Sequence, residues 1–130
     1  MKHLLFLMPL FAVGCSSESK MPAPVNRQID FAADVQPIFA KHCIGCHGPD
    51  KQKGMYRLDV KETALKAEVV KSRDSAGSAM IHHVLGIKER KRMPPEGTPL
   101  TDEQVGILRA WIDQGATWPE PPKEEKEKKK

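Results

Sequence analysis

Two cysteines and a histidine lie close together in the segment Cys43-Ile44-Gly45-Cys46-His47. Two thiols three positions apart at the end of a helix can reach two vinyl groups of one porphyrin, and the adjacent histidine then lies beneath the iron. The spacing therefore predicts one haem c, held covalently by Cys43 and Cys46, with His47 as the proximal iron ligand. We refer to residues 43–47 as the CxxCH motif.

Two other chemistries use the same residues and stand as alternatives. A zinc site would need a fourth ligand from a second paired motif, and the sequence holds neither another CxxC nor an HxxxH. A thioredoxin-like redox pair would need a strand followed by a helix, a pattern that this sequence lacks. A disulfide between Cys43 and Cys46 would leave His47 without a role.

The far side of the iron would take a second ligand, and six side chains are candidates: Met55, Met80, Met93, His42, His82 and His83. We favour Met93 because it lies in a loop that Pro94 and Pro95 stiffen, although it could also be a simple loop hydrophobe. Iron bound on both sides would have no free position for a substrate. The pair His47 and Met93 therefore predicts one-electron transfer and not an enzyme.

The other distal candidates have simpler interpretations. Met80 shares a helical register with Val84, which favours packing in the core. His82 and His83 are adjacent on one predicted helix, so at most one of them faces inward. His42 directly precedes the motif and would not reach the far face of the iron easily.

Helical periodicity dominates the chain, and no stretch alternates as a strand should. We predict four helices, over residues 34–43, 60–66, 75–85 and 101–115. The predicted capping and stop residues are Asp34, Asp59 with Glu62, Gly86, Thr101 with Gln104, and Gly115. The fold class is therefore all-α, with Trp111 packed between helices.

Residues 1–14 have the pattern of a lipoprotein signal peptide. A positive start at Lys2 and His3 precedes an apolar run that is too short to span a bilayer. The run ends at Ala12-Val13-Gly14-Cys15, which resembles a bacterial lipobox and predicts lipidation of Cys15. We expect an exported protein in the cell envelope or periplasm, anchored to the membrane by lipid. An ordinary secretory signal or a membrane anchor is the alternative.

Composition divides the remainder into three parts. Residues 15–28 are predicted to be a flexible tether, residues 29–118 one domain, and residues 119–130 a disordered charged tail. The net charge of +4 comes without a basic stripe and interleaved aromatics, which excludes a typical nucleic-acid binder. Four cations beside Met93 predict a docking site for acidic redox partners, or else a solvated loop. They are Lys88, Arg90, Lys91 and Arg92.

Residues 30–118 resemble the planctomycete-type cytochrome c domain, a relative of class I cytochromes c. The resemblance rests on Asp30-Phe31, Val35-Gln36-Pro37-Ile38, the CxxCH motif with Gly48-Pro49-Asp50, Arg57-Leu58-Asp59, Arg92-Met93-Pro94-Pro95, Leu100-Thr101 and Trp111-Ile112-Asp113-Gln114-Gly115-Ala116. It implies a small all-α fold of about four helices wrapped around one covalent haem, in which the first and last helices cross. It also implies His47 as the proximal and Met93 as the distal ligand.

Tyr56 and Arg57 are further candidates, either as partners of a haem propionate or as surface residues. The leading functional hypothesis is a monohaem c-type cytochrome that acts as a membrane-tethered one-electron carrier. The alternatives are a haem accessory subunit of a partner dehydrogenase and an open-site haem sensor or peroxidase-like protein. Spectra and carbon monoxide binding would separate the open-site protein from the other two.

Overall fold

The computed structural model describes residues 21–66 and 68–120. A π-helical turn, Phe31–Val35, leads into α1 (Gln36–His42), and a 3₁₀ turn follows at Lys53–Met55. The other helices are α2 (Lys61–Ala64), α3 (Ala79–Leu85) and α4 (Asp102–Asp113). The described residues contain no strand beyond an isolated bridge between His47 and Gln52. The predicted all-α class of about four helices is confirmed.

The start of the first helix differs from the prediction. Asp30, and not Asp34, is the N-cap: its carboxylate accepts a hydrogen bond of 2.7 Å from the Ala33 amide. Asp34 instead accepts two hydrogen bonds from Arg27, which hold the pKa of its carboxyl below the usual range. The earlier start brings Phe31 into the core.

The second and third helices are shorter than predicted. The expected capping box of Asp59 and Glu62 is wrong, because Val60 is the N-cap of α2 and Asp59 pairs with Arg57. α3 begins at Ala79 and not at residue 75, since buried Ser75 and Ser78 use their hydroxyls elsewhere. Ser75 donates to Asp113 at 2.9 Å, and Ser78 donates to the Asp74 carbonyl at 2.8 Å.

Three predicted helix signals are confirmed. Gly86 ends α3 in the left-handed region, at φ 63°. Thr101 and Gln104 form a reciprocal capping box at the start of α4. Gly115 follows the C-cap of α4 at φ 108°. Local sequence therefore determines both ends of α4.

An aromatic cluster joins the first helical segment to the last. The Trp111 ring centroid lies 5.9 Å from that of Phe31 and 5.8 Å from that of Phe39. Trp118 packs on Phe31 with a centroid separation of 4.3 Å. The Trp111 indole donates to the Thr117 carbonyl at 2.9 Å, so its one polar atom is paired. Trp111 is a core residue, as predicted.

The segment before the first helix also contacts α4. Val25 donates its amide to the Gly106 carbonyl at 3.1 Å, and Gln114 donates to the Arg27 carbonyl at 2.8 Å. The tether boundary at residue 28 stays a prediction. The predicted signal peptide, Cys15 and tail residues 121–130 lie outside the described residues. Within residues 21–66 and 68–120, no helix is long and apolar enough to cross a membrane.

Candidate haem site

A cavity of about 620 Å³ opens between α1, α3 and the loops that follow them. Its size lies within the range of small-molecule and cofactor sites. Residues Cys43, Cys46, His47, Tyr56 and Met93 all line it. The structure thus brings together five of the six residues singled out for a haem, although Met93 lies far from the motif in sequence.

The end of α1 positions the CxxCH motif. The amides of Cys43 and Ile44 both donate to the Phe39 carbonyl at 2.9 Å, and the His47 amide donates to the Cys43 carbonyl at 2.9 Å. Gly48 completes this tight turn, since a Cβ there would lie 2.5 Å from the Ile44 carbonyl oxygen. This backbone turn therefore places both thiols and the imidazole on the same side of the cavity.

The side chains on this side of the cavity do not support a zinc site. Burial raises the pKa of the Cys43 thiol to about 12. The described residues form no cluster of three or more His, Cys, Asp or Glu side chains suited to a metal ion. The thioredoxin-like alternative lacks the strand that it requires within the same residues.

His47 is held from its backbone, while one ring nitrogen is left without a partner. Its carbonyl accepts from the Leu58 amide at 2.7 Å, and its ring meets the Tyr56 ring edge-on with centroids 5.6 Å apart. Nδ1 is buried and has no hydrogen-bond partner among the residues described. Such an orphaned atom costs free energy that a bound group would offset. Together with two free thiols in a cavity of this size, it makes these residues suitable for a haem.

Five of the six distal candidates line the cavity: Met55, Met80, Met93, His42 and His83. His82, which belongs to α3, does not line the cavity, because its side chain is buried with Nε2 2.7 Å from the carbonyl oxygen of Ala76, just before the helix. His42 receives a hydrogen bond of 3.4 Å from Gln104, and burial lowers its pKa. Met93 lies in the loop between α3 and α4, as expected.

Residues 43–97 match the family model described as Planctomycete cytochrome C. The match supports a planctomycete-type cytochrome c domain in this part of the chain. The matched segment runs from the first cysteine of the motif to just past Met93, and it includes every cavity-lining residue except His42. A cytochrome c domain implies haem c binding and suggests electron transfer. No curated protein and no solved structure matches the chain.

The two residues proposed for a propionate of this cytochrome c domain differ in their surroundings. Tyr56 lines the cavity, and its hydroxyl donates to the Ala64 carbonyl at 2.9 Å; burial raises its pKa. Arg57 does not line the cavity and pairs with Asp59. The propionate role of both residues stays a prediction.

Sequence reasoning missed two cations at the cavity, Lys53 and Lys66, which line it together with Arg90 and Lys91. Both lysines stand in polar stretches that look like ordinary solvated loops, so no sequence signal distinguishes them. The buried Nη1 of Arg92 has no hydrogen-bond partner in the described part of the chain. A guanidinium in that position favours a nearby anion.

Proposed function

We propose that this protein is a membrane-tethered one-electron carrier with a single covalent haem. The cytochrome c domain suggests a haem-binding electron-transfer protein in general terms. The observation that carries the finer proposal is that the CxxCH motif and Met93 line the same cavity. In this proposal Cys43 and Cys46 form the thioethers, and His47 and Met93 are the iron ligands.

The chain would then supply attachment, ligation and exclusion of water. Two thioethers prevent the cofactor from dissociating outside the cytoplasm. Leu58, Met80 and Val84 are buried and line the cavity, so they would shield the group from solvent and favour its less charged state. His47 and Met93 would both bind the iron and leave it no free position for a substrate. When bound, haem supplies reversible one-electron chemistry at its iron.

The direct test is a pyridine haemochrome spectrum of protein produced beside a working haem-ligation system. We expect one haem per chain, retained after extraction with acidic acetone. A colourless protein, or pigment lost to the solvent, would end the proposal. A haem accessory subunit of a dehydrogenase would give the same spectrum and differ by stable co-purification with that enzyme from membranes.

Lipid anchoring at Cys15 is the second part of the proposal, and the lipobox-like sequence before this residue supports it. We expect Cys15→Ser to move the protein from the membrane fraction to the soluble envelope fraction, because no acyl chain would then be attached. Fractionation with detection by the haem colour measures this change. Membrane association that survives the substitution would favour an uncleaved anchor.

Docking of an acidic redox partner near the cavity is the third part. Arg90 and Lys91 are exposed and also line the cavity, which supports a contact close to the electron-transfer site. We expect Arg90→Glu with Lys91→Glu to slow electron exchange with an anionic reagent such as ferricyanide by about tenfold at low salt. Stopped-flow rates measured across ionic strength would show the salt dependence reversing in sign.

The matched control for this charge reversal is Lys51→Glu with Lys71→Glu. Both lysines are exposed and neither lines the cavity, while the change in net charge is identical. An equal loss of rate in the control would mean that overall charge, and not a docking patch, governs the encounter.

A further inference from the structure

Beyond its first residue, the loop that carries Met93 is hydrogen-bonded to one residue at the end of α3, His83. We define the Met93 loop as residues 87–95. The Met93 amide donates to the His83 carbonyl at 2.8 Å, and Nδ1 of His83 lies 2.9 Å from the Lys91 carbonyl oxygen. A carbonyl oxygen only accepts, so Nδ1 carries the proton in this contact. The backbone carbonyl of His83 therefore bonds to Met93, and its side chain bonds to Lys91 in the same loop.

Few other polar contacts hold this loop. Ile87, at its start, donates to the His82 carbonyl at 3.0 Å as α3 ends. Beyond Ile87, within the part of the chain that the structure describes, both hydrogen bonds that join the loop to other elements end on His83. Pro94 and Pro95 have no amide hydrogen, so the Met93 amide is the last donor before them.

Close packing reinforces the same attachment. A Cβ at Gly86 would lie 3.0 Å from Cβ of Arg92, so the returning loop lies directly on the end of α3. The His83 side chain also lines the cavity that Met93 lines. The imidazole thus stands between the helix and the loop, next to the space where the sulfur has to be held.

We propose that His83 is a positioning residue that keeps the Met93 sulfur in place for the iron. This inference rests on the proposed function, in which Met93 is the distal ligand. A thioether is a weak ligand, and its occupancy depends on how firmly its loop is held. Loss of the side-chain hydrogen bond to Lys91 would raise the fraction of molecules with Met93 released by about two- to thirteenfold.

Carbon monoxide reports this fraction, because it binds reduced haem only when the sulfur has left. Its apparent affinity therefore scales with the released fraction. We expect His83→Leu to raise that affinity about two- to thirteenfold. His83→Asn, whose amide can donate in the place of Nδ1, should stay near wild type. In Met93→Ala protein, where no sulfur remains to be positioned, adding His83→Leu should change nothing.

Three results would overturn the inference: unchanged carbon monoxide affinity in His83→Leu, an effect that persists in the Met93→Ala background, or equal effects of leucine and asparagine. The last would point to His83 itself as an iron ligand. If His83→Leu does not accumulate with haem, His83→Gln gives the same comparison with a polar side chain whose donor is displaced. Wild-type protein without covalent haem would overturn the proposed function as well, whereas a haem protein indifferent to His83 overturns this inference alone.

Discussion

Replacing Cys43 and Cys46 together by serine is expected to abolish covalent haem attachment completely. Both cysteines are free, half-buried and line the same cavity, so both thiols are available to one porphyrin. A serine hydroxyl does not form the thioether with a vinyl group. Protein of the double variant should lose all of its pigment to acidic acetone and show no haem mass by intact mass spectrometry. Each single variant should keep one linkage and lose part of its yield.

The third cysteine provides the control. Cys15→Ser removes the same thiol chemistry from a position outside the predicted haem domain, so that variant should retain its haem fully. Pigment that stays bound to the Cys43→Ser, Cys46→Ser chain after extraction would contradict the assignment of both thioethers. Zinc found by metal analysis in place of haem would favour the zinc-site alternative.

The sequence predicts correctly those helix ends that are determined by a few neighbouring residues. The capping box of Thr101 and Gln104 and the left-handed Gly86 are decided by a few neighbouring residues. The start of the first helix is different, because Asp30 and Asp34 are both good N-caps by local rules. Burial of Phe31 against Trp111 favours the earlier start, and that contact is distant in sequence.

The start of α3 shows the same limitation. Helical periodicity extends back to Ser75, but that serine hydroxyl bonds to Asp113 in α4. Arg109 also donates to the Ser75 hydroxyl, at 3.1 Å. These tertiary bonds compete with helix formation, and they are invisible to periodicity.

The candidate site was predictable to the extent that its residues form motifs. The CxxCH spacing and the two prolines after Met93 have direct chemical interpretations, and both segments line the cavity. The positions of Lys53 and Lys66 at the cavity, and the hydrogen bond from His83, arise from how separate segments of the chain pack together. Such contacts cannot be predicted from the residue type at one position of the sequence.

Met93→Ala is expected to open the iron to external ligands. Alanine has no sulfur, so the iron would lose one of its two proposed protein ligands. If the sulfur is bound in all but about one in a hundred wild-type molecules, carbon monoxide affinity should rise about a hundredfold. The long-wavelength ferric band that a sulfur ligand produces should disappear, and the reduction potential should fall. Titration of the reduced protein and the ferric spectrum measure these changes.

Met80→Leu is the matched control, since Met80 lines the same cavity from α3 and is 7 % exposed. Leucine preserves most of its volume, so packing should survive while the sulfur is removed. If the ferric band is lost in Met80→Leu and retained in Met93→Ala, the iron ligand is Met80 on α3 and not Met93. If the band is retained in both variants, exposed Met55 becomes the candidate for the sulfur ligand. Wild-type protein that binds carbon monoxide freely and lacks the band would favour an open-site sensor or peroxidase-like protein, because the cavity would then hold its iron with His47 alone.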